Sequence, residues 1–149
     1  MDITKGLHTK TTLEHLIFLS NKNIVSVCKE LQITPQQFSD WIKNRRPIPT
    51  DRLEQLVEYF QVPEEMLVDR KFARRLSALT AVELEMVVAA NRLQCCANEE
   101  KEELNYRLDC LKAEREKQIR IARLTAILEE NEPVKMDKID AFLNKLEEK

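Results

Sequence analysis

Residues 23–47 read NIVSVCKELQITPQQFSDWIKNRRP. Two helical patterns lie either side of a very short connection. Asn23 is a residue type whose side-chain oxygen takes up a free backbone amide where a helix starts. Ile24, Val27, Cys28 and Leu31 follow at i, i+3, i+4 and i+7, one face of a helix over 23–31. Gln32 and Ile33 make the connection. Thr34 is the next cap, and Pro35 takes the first helical position, where its missing N–H removes no bond. Phe38, Trp41 and Ile42 then form the inward face of a helix over 34–44. The run Arg45-Arg46-Pro47-Ile48-Pro49 ends it, because proline donates no backbone bond and restricts the residue before it.

The same logic extends outward. Thr11 or Thr12 caps an earlier helix carrying Leu13, Leu16 and Ile17. Thr50 opens a fourth helix with Leu53, Leu56, Val57 and Phe60, and Val62-Pro63-Glu64-Glu65-Met66-Leu67 opens a short fifth. Five short helices over 11–69 can share one core, close to the lower size limit for a free-standing domain. A tail over 1–10 precedes them and a linker over 70–79 follows. Residues 80–131 lack proline and glycine, and Thr80 and Glu83 have capping-box spacing. From Ala81 to Ala97 the pattern is apolar on most of the circumference. Residues 98–103 are polar and mostly acidic, and Leu104, Leu108, Leu111, Ile121, Leu124 and Leu128 then make a heptad-like stripe. Nothing demands a break, so one helix of roughly 75 Å at 1.5 Å per residue is expected in preference to a hairpin turning near Asn98. After Pro133, Ile139, Phe142, Leu143 and Leu146 mark a last amphipathic helix within 132–149.

Composition supports an all-α chain. Among 149 residues there is one glycine, Gly6, which excludes a P-loop or dinucleotide fingerprint and disfavours the tight hairpins of an all-β fold. Net charge is −2, and basic and acidic residues nearly balance on either side of residue 70, so nucleic-acid binding must rest on local charge. MDITKGLHTK has no apolar core of the signal-peptide kind, no apolar run suggests a membrane span, and the four cysteines lack Cys-x-x-Cys spacing. A cytoplasmic protein with reduced thiols is expected.

Helix 23–31, a two-residue connection and helix 34–44 have helix-turn-helix spacing, in which the second helix enters the major groove. The stretch from Ile24 to Leu67 resembles the lambda-repressor and Cro-like (XRE-type) helix-turn-helix family. The matching residues are Cys28, Leu31, Ile33, Thr34, Phe38-Ser39-Asp40-Trp41, Lys43-Asn44-Arg45-Arg46-Pro47, the pattern Leu53-x-x-Leu56-Val57-x-x-Phe60, and Val62-Pro63. Three positions depart from the family pattern. Gln32 replaces the turn glycine, Asn44 replaces the glycine ending the second helix, and Ile24 replaces a polar residue that touches phosphate. The resemblance implies a small five-helix DNA-binding domain followed by a long helical, coiled-coil-like oligomerisation region. It also implies a sequence-specific transcriptional regulator of phage or mobile-element type, active at the nucleoid of a bacterial or phage-infected cell, usually a repressor binding a palindromic operator as a dimer.

The residues support contact roles on their own. With Phe38, Trp41 and Ile42 inward, Gln36, Asp40 and Lys43 fall on the outer face, flanked by Gln37 and Ser39. Glutamine can bond two edges of adenine, and Lys43 can reach guanine or phosphate. Asp40 can accept from cytosine or hold Lys43. Arg45 and Arg46, with Arg52 beyond, can clamp the backbone, while Thr34 and Asn44 bound the helix. A merely solvated helix face is the bland alternative. Trp41 is expected in the core, and Cys28 at a buried helix crossing. Cys95 and Cys96 point about 100° apart and are expected in packing, ahead of a disulfide or redox role. His8 and His15 have no partner suited to a nucleophilic triad, so no enzyme, cofactor or metal site is expected. The basic run Lys112, Arg115, Lys117, Arg120 and Arg123, interrupted by Glu114 and Glu116, is read as a solvated coiled-coil flank.

Helix 80–97 and the stripe over 104–128 need apolar partners that the small amino-terminal core is not expected to supply. Self-association through Leu84, Val87, Val88, Leu104, Leu108, Leu111, Ile121, Leu124 and Leu128 is therefore expected, giving a homodimer or higher even oligomer. Two function classes stay open. Gln36-Gln37, Lys43 and Arg45-Arg46 favour a regulator bound to double-stranded DNA. Ile24 and the near-neutral amino-terminal half favour an adaptor that holds a regulatory protein partner, of antitoxin or anti-repressor type.

Overall fold

The computed structural model describes residues 10–148. His8 and most of the expected tail lie outside them. The chain is mostly helical, with 8 helices and one two-stranded sheet among the described residues. No described helix is long and apolar enough to cross a membrane.

Helix α1 spans Thr12–Leu19, α2 Ile24–Glu30, α3 Pro35–Ile42, α4 Thr50–Phe60 and α5 Glu64–Leu67. Thr11 caps α1, and Asn23 caps α2 by accepting from the Ser26 amide at 2.7 Å. Thr34 and Gln37 form a reciprocal capping box at the start of α3. Phe38, Leu13, Leu16, Leu56 and Val27 are fully buried in one core, with Phe38 edge-on to Trp41 at 6.2 Å. Cys28 lies in this core, and burial pushes its thiol up from the ordinary range.

Connections between these helices use left-handed backbone without glycine. Asn21, Gln32, Asn44 and Gln61 all have φ between 52° and 55°. Asparagine tolerates this region, while glutamine does so at an energetic cost. Gln32 thus makes the left-handed turn between α2 and α3 without a glycine.

The expected linker is a built element. Strands β1 (Val68–Asp69) and β2 (Phe72–Ala73) pair antiparallel, Val68 with Ala73 and Asp69 with Phe72. Arg70 and Lys71 form the two-residue loop, with φ of 49° and 70°, as a type I′ turn requires. Ala73 and Leu76 are buried, and the Thr12 amide donates to the Arg74 carbonyl at 2.8 Å. Residues 70–79 therefore close the core instead of separating two units.

Helix α6 spans Ala78–Cys95, α7 Asn98–Glu130 and α8 Pro133–Glu147. The single long helix expected over 80–131 is not formed. Cys96 and Ala97 are extended, and the chain reverses into an antiparallel hairpin. The physical reason is burial. Leu84 joins the amino-terminal core with no exposed surface, Val87 and Val88 pack against it, and the fold-back buries Leu111. A continuous rod would leave that second apolar face in water. Arg107 pairs with Glu85 and Arg115 with Glu83 across the antiparallel hairpin. The cap also moves. Ser77, not Thr80, accepts from the backbone, taking the Thr80 amide at 3.1 Å.

Leu84, Val87, Val88, Leu104, Leu108 and Leu111 were expected at an oligomer interface. Leu84 and Leu111 are buried within this chain and the other four are half-buried. Only Ile121, Leu124 and Leu128 of that set stay exposed. Cys95 is exposed and Cys96 half-buried at the hairpin tip, so the expected packing role does not hold for Cys95.

Candidate nucleic-acid interface

The short connection from α2, with Gln32 left-handed, sets α3 with one face on the core and the other outward. Gln36, Gln37 and Lys43 are exposed, and Ser39 is half-buried. Thr34 is exposed, but its hydroxyl is occupied by the Gln37 amide at 3.2 Å. The Gln37 side-chain oxygen accepts from the Thr34 amide at 3.3 Å, which leaves its NH2 group free to turn outward.

Asp40 does not lie open on that face. It is only 9% exposed. The left-handed turn at Asn44 folds the chain back, and the Arg45 amide donates to the Asp40 carbonyl at 2.8 Å. Arg45 Nη1 and Arg46 Nε then lie 3.7 Å from the two Asp40 carboxylate oxygens. Gln36 Nε2 donates to the same carboxylate at 3.1 Å. Asp40 thus pairs with two arginines, not Lys43, and little of its side chain is left exposed. Each arginine is more than half exposed, so these pairs contribute little stability, about 0–1 kcal/mol apiece. Their effect is orientation: one buried carboxylate gathers two cations at the end of the outward face.

Two other expected contacts point elsewhere. Arg52 Nη1 donates to the Leu31 carbonyl at 3.4 Å and to Gln55 Oε1 at 2.9 Å, which ties α4 to the end of α2. The Asn44 Oδ1 atom is buried without a hydrogen-bond partner, in a recess it shares with Phe72, Ala73 and Thr80. Its left-handed backbone turns the side chain towards β2.

The structure also brings up residues that the sequence left in a linker. The Ile48 amide, in the loop after α3, donates to the Lys71 carbonyl at 2.7 Å. That bond sets the Arg70-Lys71 tip beside the Arg45-Arg46 loop. The signal in the sequence was the basic spacing Arg70-Lys71 and Arg74-Arg75, which no glycine marked as a hairpin.

At the amino end of α2, Val25 is 68% exposed and Ile24 is also exposed. Comparison with known proteins returned no match: no family model fits the chain, and no curated protein or solved structure matches it.

Proposed function

We propose that the chain is a sequence-specific, double-stranded DNA-binding transcriptional regulator, with α2 and α3 as a helix-turn-helix and α3 laid in the major groove. The observation that carries this is the uncovered outer face of α3. Gln36, Gln37 and Lys43 are exposed there, and Arg45 and Arg46 are held beside them by Asp40. Glutamine and lysine read base edges and the arginines hold phosphate, which combines specificity with affinity. Gln36 and Gln37 each spend one side-chain group inside the protein, and each retains another for a base.

A domain of this size binds weakly alone, and a second copy on one frame makes the second contact intramolecular. The frame is the exposed apolar surface of the carboxy-terminal arm: Ile121, Leu124 and Leu128 on α7, with Phe142, Leu143 and Leu146 on α8. Pairing through it gives a homodimer whose half-sites lie about one helical turn, roughly 34 Å, apart. No catalytic group is part of this function. A phage or mobile-element repressor acting at the nucleoid is the form that the family resemblance supports.

The test is duplex binding against salt by the wild type and by Arg45→Ala/Arg46→Ala. Binding that falls steeply with salt and is lost in the variant supports the proposal. Duplex binding that is absent, or indifferent to both, contradicts it. A second function, docking of a regulatory protein in antitoxin or anti-repressor fashion, is favoured by one observation, the exposed Ile24 and Val25 at the start of α2.

A further inference from the structure

We infer that the β1–β2 hairpin is a wing: Arg70 and Lys71 at its tip grip DNA phosphates flanking the groove that α3 enters. This rests on the DNA-binding function proposed above and adds a second, sequence-neutral contact element to it.

Three observations carry the inference. The first is placement. The 2.7 Å bond from the Ile48 amide to the Lys71 carbonyl joins the tip to the loop that presents Arg45 and Arg46. Two basic segments, Arg45-Arg46 and Arg70-Lys71, are thus joined through the backbone in a protein of net charge −2, with Glu64, Glu65 and Asp69 bordering the recess at the tip. The second is availability. Arg70 and Lys71 are exposed, and among the described residues neither side chain forms an ion pair. Arg74, by contrast, is spent on the Glu65 carbonyl at 2.7 Å. The third is the backbone. A two-residue type I′ loop is most comfortable as Asn-Gly, yet this chain places two long cations there, both at positive φ. Each carries a steric cost that the turn itself does not require.

The hairpin is rigid enough to present them. Ala73 and Leu76 anchor its foot in the core. The Arg74 amide donates to the Leu67 carbonyl and the Leu76 amide to the Lys10 carbonyl, each at 2.8 Å. The backbone that carries both cations is therefore already ordered before a phosphate reaches the tip.

The decisive variant is Arg70→Asn/Lys71→Gly in the full chain. It removes both charges and installs the residues that the turn prefers, so the hairpin is retained. The probe is the duplex enriched from a random pool by the wild-type chain, or a mixed-sequence duplex where none is enriched. Neutralising two phosphate contacts lowers the salt slope of log K by about 1.8. The wild-type advantage then shrinks by about 12-fold between about 50 and about 200 mM salt. Melting temperature stays level or rises, and the sequence preference is unchanged. An undiminished slope in the folded variant, with the wild type binding, overturns the wing alone. A lower slope accompanied by altered base preference overturns its sequence-neutral role. A wild-type chain that holds neither duplex overturns the wing together with the DNA-binding function.

Discussion

Replacing Gln32 and Gln61 by glycine should make this protein more stable, although glycine usually weakens a helical protein. Both residues sit at left-handed backbone, φ 53° and 52°. An L-residue with a β-carbon is disfavoured there by about 1–2 kcal/mol. Glycine relieves that strain but loses more freedom on folding, which returns about 0.4–1 kcal/mol to the unfolded state. The difference is a gain of about 0.5–1 kcal/mol per site. Among the described residues neither glutamine side chain forms a hydrogen bond that would be lost, and the bond from Asn91 to the Gln61 carbonyl is one that glycine keeps. For a chain of this length the pair should raise the melting temperature by about 3–6 °C. Urea unfolding followed by circular dichroism should move the midpoint upward at unchanged slope. A fall of about 1 kcal/mol per site, the usual effect of glycine inside a helix, would refute the backbone assigned to these turns and with it the geometry that aims α3.

Other outcomes test separate parts of the account. Leu84→Ala should destabilise the chain by about 2–5 kcal/mol in denaturant unfolding, because Leu84 is fully buried where α6 meets the amino-terminal core. A negligible effect would return α6 to an intersubunit role. Leu124→Glu/Leu128→Glu should leave a 17.5 kDa monomer by light scattering where the wild type weighs twice that, and a dimeric variant would move the interface elsewhere. Burial lowers the His15 imidazole below its ordinary 6.5, with Glu85 opposing and Lys10 reinforcing to lesser extents. Because the folded state disfavours the charged form, this contribution is fully present above pH 6.5 and is lost as pH falls through the lowered value. The melting temperature of His15→Gln should therefore fall less than that of the wild type on acidification below pH 6.5, and an equal fall would contradict the assignment.

The two helices that carry the proposed function were legible because their signals are local. Asn23, Thr34 and Pro35 mark starts, and Phe38 and Trp41 mark the buried face, all within one or two turns of the residue in question. Asp40 was misplaced for the opposite reason. Its position on the helix face is local, but its burial depends on a loop that Asn44 folds back over it. The reversal at Cys96 and Ala97 has no proline or glycine to announce it. The first turn it opens, Asn98-Glu99-Glu100, is acidic as a helix amino terminus favours, and this was the one available sign. The β-hairpin was hidden because its turn residues are two cations, chosen against turn propensity. The apolar pattern of Leu84, Val87 and Val88 marks a need for partners, but the expectation that the small amino-terminal core could not supply them does not hold. Which partner was a question of chain reversal, and the nearest core of the same molecule met it.

The most direct test of the central claim, that the outer side of α3 reads base pairs, is selection of bound fragments from random-sequence duplex DNA by the full chain. The account expects enrichment of a two-fold motif whose half-sites lie about one helical turn apart. A recovered pool no different from the starting one would contradict it.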